Sequence, residues 1–247
     1  MYNVTAIATL ADNFTYIVDN GAAAVVIDPG EASPVLRRLD ERSLNLTAIL
    51  ATHAHFDHTG GANELVRNSR CEVVGVVEGT SGAGFTYEVG PFSFVVLSTP
   101  GHSADSVCYY LPGSDKHPGV VFTGDTLFVG GCGRVFTRSP EAMWSSLQLL
   151  AALPPETRVY CGHDYSLEDY EFAVTIEPNN AEVKSRLEEI RSLVESGGLT
   201  VPSTIGQELA TNPFLRASTQ EMKQALGMPD AGDAETFAAL RRLKDRF

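Results

Sequence analysis

Short apolar runs separated by turn residues dominate the first two thirds of the chain. Residues 14–18 and 24–28 are mostly apolar and have the length of strands. They flank Asn20-Gly21, a pair typical of a two-residue hairpin turn. Pro29-Gly30 ends the second run, and residues 34–39 have the pattern of a short helix. Further runs of strand length occur at residues 46–51, 72–77, 92–98, 107–111, 120–123 and 158–161. The pattern predicts a mixed α/β amino-terminal part.

Helical patterns replace these runs in the last third of the chain. One helix is predicted before this region, over residues 140–150, because Ser139 can cap it and Pro140 suits its first turn. Beyond residue 165, apolar positions recur every three or four residues, most clearly in residues 180–195. The predicted division is therefore an α/β part, residues 1–165, and a small all-helical part, residues 166–247.

The strand predicted at residues 46–51 leads directly into Thr52-His53-Ala54-His55-Phe56-Asp57-His58. This His-x-His-x-Asp-His run puts four ligand-type side chains on one short loop after a buried strand, where α/β sheets usually place chemistry. Packing these groups together without a metal would leave polar atoms unpaired. Imidazole and carboxylate suit zinc, iron or manganese, and the absence of thiolates argues against a closed structural zinc site.

Three more ligand-type residues end later apolar runs, namely His102, Asp125 and His163. Each follows a glycine, which permits a tight backbone turn. Singly, each fits an ordinary loop residue, but their recurrence at strand ends indicates that they join the first cluster and complete a site for two metals. The remaining histidine, His117, lies in a turn-rich polar segment, and we expect it to be solvated.

Composition limits the partners. The net charge of −13 disfavours nucleic acid and anionic membranes. No apolar stretch has the length of a transmembrane helix, and residues 1–12 lack the features of a signal peptide. The four cysteines are widely spaced and are expected to be buried and reduced. We therefore expect a cytoplasmic monomer that acts on a small molecule.

The order His53-x-His55-x-Asp57-His58, His102, Asp125, His163 resembles the metallo-β-lactamase superfamily. More narrowly, the chain is similar to the glyoxalase II, or hydroxyacylglutathione hydrolase, family. The motifs behind the narrower resemblance are Gly124-Asp125-Thr126-Leu127-Phe128, Gly131-Cys132-Gly133-Arg134, Val159-Tyr160-Cys161-Gly162-His163-Asp164-Tyr165, Glu177-Pro178-Asn179-Asn180, Val201-Pro202-Ser203-Thr204, Asn212-Pro213-Phe214 and Arg241-Arg242-Leu243-Lys244-Asp245. The resemblance covers essentially the whole chain.

The resemblance implies an αββα sandwich with two divalent metal ions, followed by a helical domain that helps to hold glutathione. It implies zinc, with iron or manganese as alternatives. Position by position, the implied ligands are His53, His55 and His102 for one metal, Asp57, His58 and His163 for the other, and Asp125 as a bridge between both, together with a hydroxide.

The resemblance also assigns substrate contacts. Arg134, Arg241 and Lys244 would bind the carboxylates of glutathione, and Tyr165 would contact its peptide. Phe136 replaces a tyrosine that contacts glutathione in some relatives, so a hydroxyl contact is missing there. A second departure is Asp105-Ser106, where a Gly-His pair is more usual near His102, and the hydrogen bonding behind the first metal is expected to differ.

The implied reaction is hydrolysis of S-(2-hydroxyacyl)glutathione thioesters, such as S-D-lactoylglutathione, to glutathione and a 2-hydroxy acid such as D-lactate. The metal-bridging hydroxide would attack, with Asp57 and Asp125 as the catalytic carboxylates, and the role would be methylglyoxal detoxification.

The alternative on the same fold is a glutathione persulfide dioxygenase with a single iron. That enzyme needs fewer ligands, whereas all seven positions are filled here. A non-catalytic module would keep the metal without hydrolysing any thioester.

Overall fold

The computed structural model describes residues 2–74, 85–114 and 117–247. Its amino-terminal part forms a five-stranded sheet in which consecutive strands are neighbours. The first three strands pair antiparallel and the last three pair parallel. The strands are β1 (Asn3–Thr9), β2 (Asn13–Asp19), β3 (Ala23–Ile27), β4 (Asn45–Leu50) and β5 (Glu72–Val74), and the helices between them are α1 (Ser33–Glu41), α2 (Phe56–Thr59) and α3 (Ala62–Ser69).

A six-stranded sheet lies opposite, with the strand order β13-β12-β9-β8-β7-β6. Its pairs are antiparallel except for β9 and β12, which run parallel. A short hairpin, β10 with β11, extends beyond β9. The ranges are β6 (Phe85–Val89), β7 (Phe92–Ser98), β8 (Val107–Leu111), β9 (Val120–Gly124), β10 (Leu127–Phe128), β11 (Gly131–Cys132), β12 (Arg158–Cys161) and β13 (Ser203–Thr204).

The later helices cover the outer face of the second sheet and continue to the carboxyl terminus. Ser139 caps the first of them, since its hydroxyl accepts a hydrogen bond from the Ala142 amide at 3.3 Å. The ranges are α4 (Pro140–Ala151), α5 (Ser166–Ile176), α6 (Ala181–Glu195), α7 (Ile205–Thr211), a 3₁₀ helix (Leu215–Ser218), α8 (Gln220–Ala225) and α9 (Asp233–Lys244).

Alternate residues of the same strand are buried in different layers, which explains the continuous apolar runs. In β2, Tyr16 and Val18 belong to the core between the sheets, whereas Ile17 packs in the layer that contains Val35 of α1. Beyond the second sheet, Trp144 of α4 and Phe237 of α9 belong to a third cluster. The layers are thus helix, sheet, sheet and helix, and the predicted fold class is confirmed.

Some local predictions differ from the structure. The turn between β2 and β3 contains three residues, Asn20 to Ala22, rather than two. The Asn20 side chain explains the extra residue, because its Oδ1 accepts hydrogen bonds from the amides of Ala22 and Ala23. The strand predicted at residues 72–77 is present as β5, and residues 75–77 lie outside the described part of the chain. The carboxyl-terminal part also adds the two-residue strand β13 to the second sheet.

Other predictions agree with it. The four cysteines are buried and free, and His117 is exposed. Within the ranges that the structure describes, none of the helices is both long and apolar enough to cross a bilayer.

Candidate metal centre and adjoining cleft

The seven predicted ligands lie together where strands of both sheets end. The segment after β4 holds the His53–His58 run, with Asp57 and His58 in helix α2, and the loops after β7, β9 and β12 hold His102, Asp125 and His163. Because β3 pairs parallel with β4, and β9 with β12, the carboxyl ends of these strands meet at one edge of the sandwich. The structure therefore brings all seven side chains to one place, as the sequence predicted.

Three imidazoles form the first ligand group. His55 Nδ1 lies 2.9 Å from His53 Nε2 and 3.1 Å from His102 Nε2. His53 and His102 are buried and His55 is exposed. Such a group of convergent ring nitrogens matches the chemistry of a divalent transition metal that keeps one open side.

The second group combines two imidazoles with a carboxylate. His58 Nε2 and His163 Nε2 are 3.3 Å apart, and Asp57 Oδ2 lies 3.5 Å from the first and 3.3 Å from the second. Ligands arranged tetrahedrally around a zinc ion are about 3.4 Å from one another. The spacing of these three atoms therefore fits a metal ion.

Asp125 lies between the two groups. Its Oδ1 is 3.3 Å from His58 Nε2, and its Oδ2 is 3.4 Å from both His102 Nε2 and His163 Nε2. The side chain is buried, yet Oδ1 accepts no hydrogen bond from any residue in the described part of the chain. A buried carboxylate oxygen without a partner is costly, and a metal ion bound beside His58 would satisfy it. The donor set thus fits divalent metal ions.

Each buried imidazole is held through its other ring nitrogen. His58 Nδ1 lies 3.0 Å from Asp28 Oδ2, and His163 Nδ1 lies 2.9 Å from Asp12 Oδ1. His102 Nδ1 lies 3.0 Å from the backbone oxygen of Arg134. When Nδ1 donates to these acceptors, the lone pair of Nε2 is directed to the centre, which is the usual support of a metal ligand.

Asp28 acts on both groups. Its carboxylate accepts hydrogen bonds from the amide and the hydroxyl of Thr52, both at 2.7 Å. The Thr52 hydroxyl in turn lies 3.1 Å from His53 Nδ1. Asp28 therefore orients His58 directly and His53 through Thr52.

Asp28 and Asp12 were not predicted from the sequence. Asp28 directly follows the apolar strand β3, which is the same signal that identified Asp125. Because Pro29-Gly30 comes next, however, the sequence at Asp28 was interpreted as an ordinary turn. Asp12 lies in the loop between β1 and β2, where no pattern distinguishes it from other loop carboxylates.

The electrostatics of the centre favour cations. Burial lowers the pKa of His53 to about 4, which keeps the ring neutral and able to bind a metal. Burial also acts to lower the pKa of His58, but Asp28 and Asp125 outweigh it and raise that pKa to about 11. For Asp125, burial opposes ionisation, yet the adjacent imidazoles of His163 and His58 hold its pKa well below the usual range. An anionic carboxylate at the centre attracts a metal ion as it attracts a proton.

Glycines make the close approach of these loops sterically feasible. A Cβ on Gly162 would lie 2.5 Å from Asp125 Oδ1 and 2.7 Å from His58 Cε1. Gly124 has a φ of +48°, and a Cβ there would lie 2.2 Å from the Thr52 hydroxyl. The glycine that precedes His163 and the one that precedes Asp125 are therefore required by contact and by conformation.

A cavity of about 540 Å³ opens beside the metal centre. It lies between the ligands and helices α5 and α9, and all five residues predicted to bind substrate line it. These are Arg134, Phe136, Tyr165, Arg241 and Lys244. A cleft of this volume is large enough for a peptide-sized ligand.

The aromatic residues of the cleft contact the metal ligands. The Tyr165 ring stacks on His163, with centroids 4.9 Å apart and planes 6° apart. Phe136 packs edge-on against His102 at 5.2 Å and remains 60% exposed. Burial, with Asp12 next, raises the pKa of the Tyr165 hydroxyl to about 12. That hydroxyl is therefore a hydrogen-bond donor at neutral pH.

The three cationic residues differ in their partners. Arg241 is buried, donates to the Cys132 backbone oxygen at 2.8 Å and pairs with Asp245 at 3.0 Å. Lys244 is also buried and pairs with two carboxylates of α5. Arg134 is exposed, and its guanidinium forms no ion pair with any described residue. Among the described residues of the cleft, Arg134 is thus a cation without an ion pair, whereas Arg241 and Lys244 each have carboxyl partners.

Two family models together match nearly the whole chain. The metallo-β-lactamase superfamily model matches residues 8–81 and 76–163. The model of the hydroxyacylglutathione hydrolase carboxyl terminus matches residues 164–247. A hydroxyacylglutathione hydrolase from Methylococcus capsulatus is 41% identical over 258 residues, covering 100% of this chain and 99% of that protein.

Solved structures share the fold. ETHE1 from Myxococcus xanthus superimposes with a TM-score of 0.64 at 27% identity, covering 99% of this chain and 98% of that one. TTHA1623 in a di-iron-bound form superimposes with a TM-score of 0.58 at 28% identity, covering 86% of this chain and 100% of that one. The hydroxyacylglutathione hydrolase from Methylococcus capsulatus is thus more similar to this chain in sequence than either of these two solved structures.

Proposed function

The chain belongs to the hydroxyacylglutathione hydrolase family of the metallo-β-lactamase superfamily, and we propose that it hydrolyses S-(2-hydroxyacyl)glutathione thioesters to glutathione and a 2-hydroxy acid. S-D-lactoylglutathione is the proposed substrate, D-lactate the acid and methylglyoxal detoxification the role. The observation that supports this most strongly is the convergence of seven ligand-type side chains beside a cleft with cationic and aromatic walls. The full-length relative at 41% identity is named for the same reaction.

Two divalent metal ions, zinc in both sites, would bind in the two ligand groups. His53, His55 and His102 would hold one, Asp57, His58 and His163 the other, and Asp125 would bridge them. A pair of such ions lowers the pKa of a bound water toward neutrality and polarises the carbonyl that is attacked. The wholly nitrogen and oxygen donor set suits zinc, and it also suits iron or manganese.

The carboxylates at the centre maintain this arrangement. Asp125 is anionic and buried, so it would bind metal ions without first having to lose a proton. The side chain of Asp57 is held by Asn13, whose Nδ2 donates to Asp57 Oδ2 at 3.0 Å. Asp57 and Asp125 thus act as catalytic residues through contact with the metals, and not as proton carriers.

The cleft residues would bind the thiol carrier. Arg134, without a carboxylate partner among the described residues, is available to an anionic substrate. Arg241 and Lys244 supply further positive charge on α9, and the protonated Tyr165 hydroxyl can donate to a peptide carbonyl. The exposed face of Phe136 next to His102 offers an apolar contact near the reacting bond.

The leaving group requires little assistance. A thiolate departs more readily than an amide nitrogen, so the reaction needs no strong general acid beside the metals. The chain also lacks a Gly-x-Ser-x-Gly elbow and does not depend on a serine nucleophile. We further propose that the protein acts as a cytoplasmic monomer without a nucleic-acid or membrane partner, in keeping with its net charge of −13.

Turnover of matched substrates tests the proposal. Purified protein with its metal content quantified is expected to hydrolyse S-D-lactoylglutathione rapidly, as followed by release of the free thiol. It is expected not to consume oxygen when it is given glutathione persulfide and iron. Oxygen consumption without thioester hydrolysis would replace the hydrolase with the single-iron dioxygenase, and metal binding without either activity would indicate a non-catalytic module.

A further inference from the structure

The ammonium of Lys244 already has two carboxyl partners inside the cleft. Its Nζ lies 2.5 Å from Glu168 Oε1 and 3.3 Å from Asp169 Oδ1. All three residues line the cavity beside the metal centre. An anionic substrate that reaches Lys244 must therefore compete with the side chains of Glu168 and Asp169 for the same ammonium group.

These two side chains differ in burial. The Asp169 side chain is 4% exposed and is packed behind Gly131, where a Cβ would lie 2.0 Å from Asp169 Oδ2. The Glu168 side chain is 63% exposed and lies in the first turn of α5. Asp169 is thus a fixed support of Lys244, whereas Glu168 can turn into solvent without any change in the backbone.

We propose that Glu168 is an internal anion on Lys244 that a carboxylate of the substrate displaces, and that it thereby sets the affinity and selectivity for anionic substrates. This inference rests on the proposed function. Lys244 is buried but the Glu168 carboxylate is mostly exposed, so Glu168 regains solvent contact when a substrate carboxylate takes its place on the ammonium. A substrate without a carboxylate at this position leaves Glu168 in place and gains nothing from Lys244.

Glu168→Gln tests the exchange, because it keeps the shape of the side chain and removes its charge. We expect the KM for S-D-lactoylglutathione to fall about two- to fivefold, with kcat unchanged, since no hydrogen bond or ion pair in the described part of the chain joins Glu168 to a proposed metal ligand. The Kd of S-methylglutathione, a thioether that cannot be hydrolysed, is expected to fall by the same factor in calorimetry. In a Lys244→Gln background, Glu168→Gln is expected to have no effect on either constant.

Glu171→Gln is the matched control. Glu171 lies on the same helix and pairs with Arg191 at 3.4 Å, but it does not line the cleft. The same change of net charge is therefore expected to leave KM and Kd unaltered.

Each other outcome overturns the exchange. An unchanged KM and Kd in Glu168→Gln would mean that the substrate does not compete for Lys244. A higher KM and Kd would mean that Glu168 binds a cationic group of the substrate. Wild-type turnover judges the proposed function separately, and a wild-type protein that neither hydrolyses the thioester nor binds the thioether would refute both.

Discussion

Asp28→Asn is expected to weaken metal binding in both ligand groups. Asp28 accepts from His58 Nδ1 and from the amide and hydroxyl of Thr52 at 2.7–3.0 Å, and Thr52 contacts His53. An asparagine keeps one acceptor oxygen but turns its amide toward groups that are themselves donors. Loss of such outer support typically costs 10- to 100-fold in metal affinity, which corresponds to about 1.4–2.7 kcal/mol.

Asp12→Asn provides the comparison. Asp12 supports His163 in the same way that Asp28 supports His58, but its side chain is 41% exposed. Water can replace the hydrogen bond between Asp12 and His163. Among the described residues, Asp12 has no hydrogen-bonded link to His53 like the one that Thr52 provides for Asp28. We therefore expect a loss of about threefold, confined to one of two metals.

Competition with a chelator of known zinc affinity, performed on apo-protein, would measure both metals. The thermal midpoint of each apo-variant would report any loss of folding separately, because a buried donor left unpaired costs about 1–3 kcal/mol in stability. Equal losses in the two variants, or an Asp28→Asn affinity within twofold of the wild type for both metals, would refute the proposed role of Asp28.

Three further substitutions test separate parts of the site. Asp57→Ala is expected to abolish turnover and to remove one of two metals, as measured by metal analysis, and unchanged turnover would contradict its assignment as a ligand. Arg134→Ala is expected to raise KM about tenfold with kcat nearly constant, because it removes one charge-assisted contact to the substrate; a fall in kcat at constant KM would contradict a binding role. Gly162→Ala is expected to lower metal content, since its Cβ would lie 2.5 Å from Asp125 Oδ1, whereas Gly232→Ala, with nothing within 4 Å of its Cβ, should match the wild type.

The hydrophobic pattern predicted the central strands because their residues are buried on both faces, whereas the αββα sandwich was predicted from the family resemblance. Apolar runs such as Ile49-Leu50 in β4 and Val121-Phe122 in β9 indicate buried strands. The ligand-type residues that follow these strands mark the functional edge of the sandwich. The short helix α2 was missed, since the alternation of ligands in residues 53–58 hides its single turn. The strand β6 was also missed, although its burial alternates.

Long-range pairing explains what the sequence could not reveal. Glu168 in the first turn of α5 looks like an ordinary helix-start acid, and nothing local relates it to Lys244, which lies 76 residues later. The family resemblance assigned Lys244 to a carboxylate of the substrate, whereas the structure already pairs it with Glu168 and Asp169 within the cleft. Similarly, the role of Asp28 depends on the parallel pairing of β3 with β4, which brings the ends of the two strands together.

Titration of apo-protein with zinc, while hydrolysis of S-D-lactoylglutathione is followed, tests the central claim most directly. We predict that activity rises until two equivalents per chain are bound and then stays constant. A plateau at one equivalent would contradict the two-metal centre, and the absence of turnover at two bound equivalents would contradict the hydrolase.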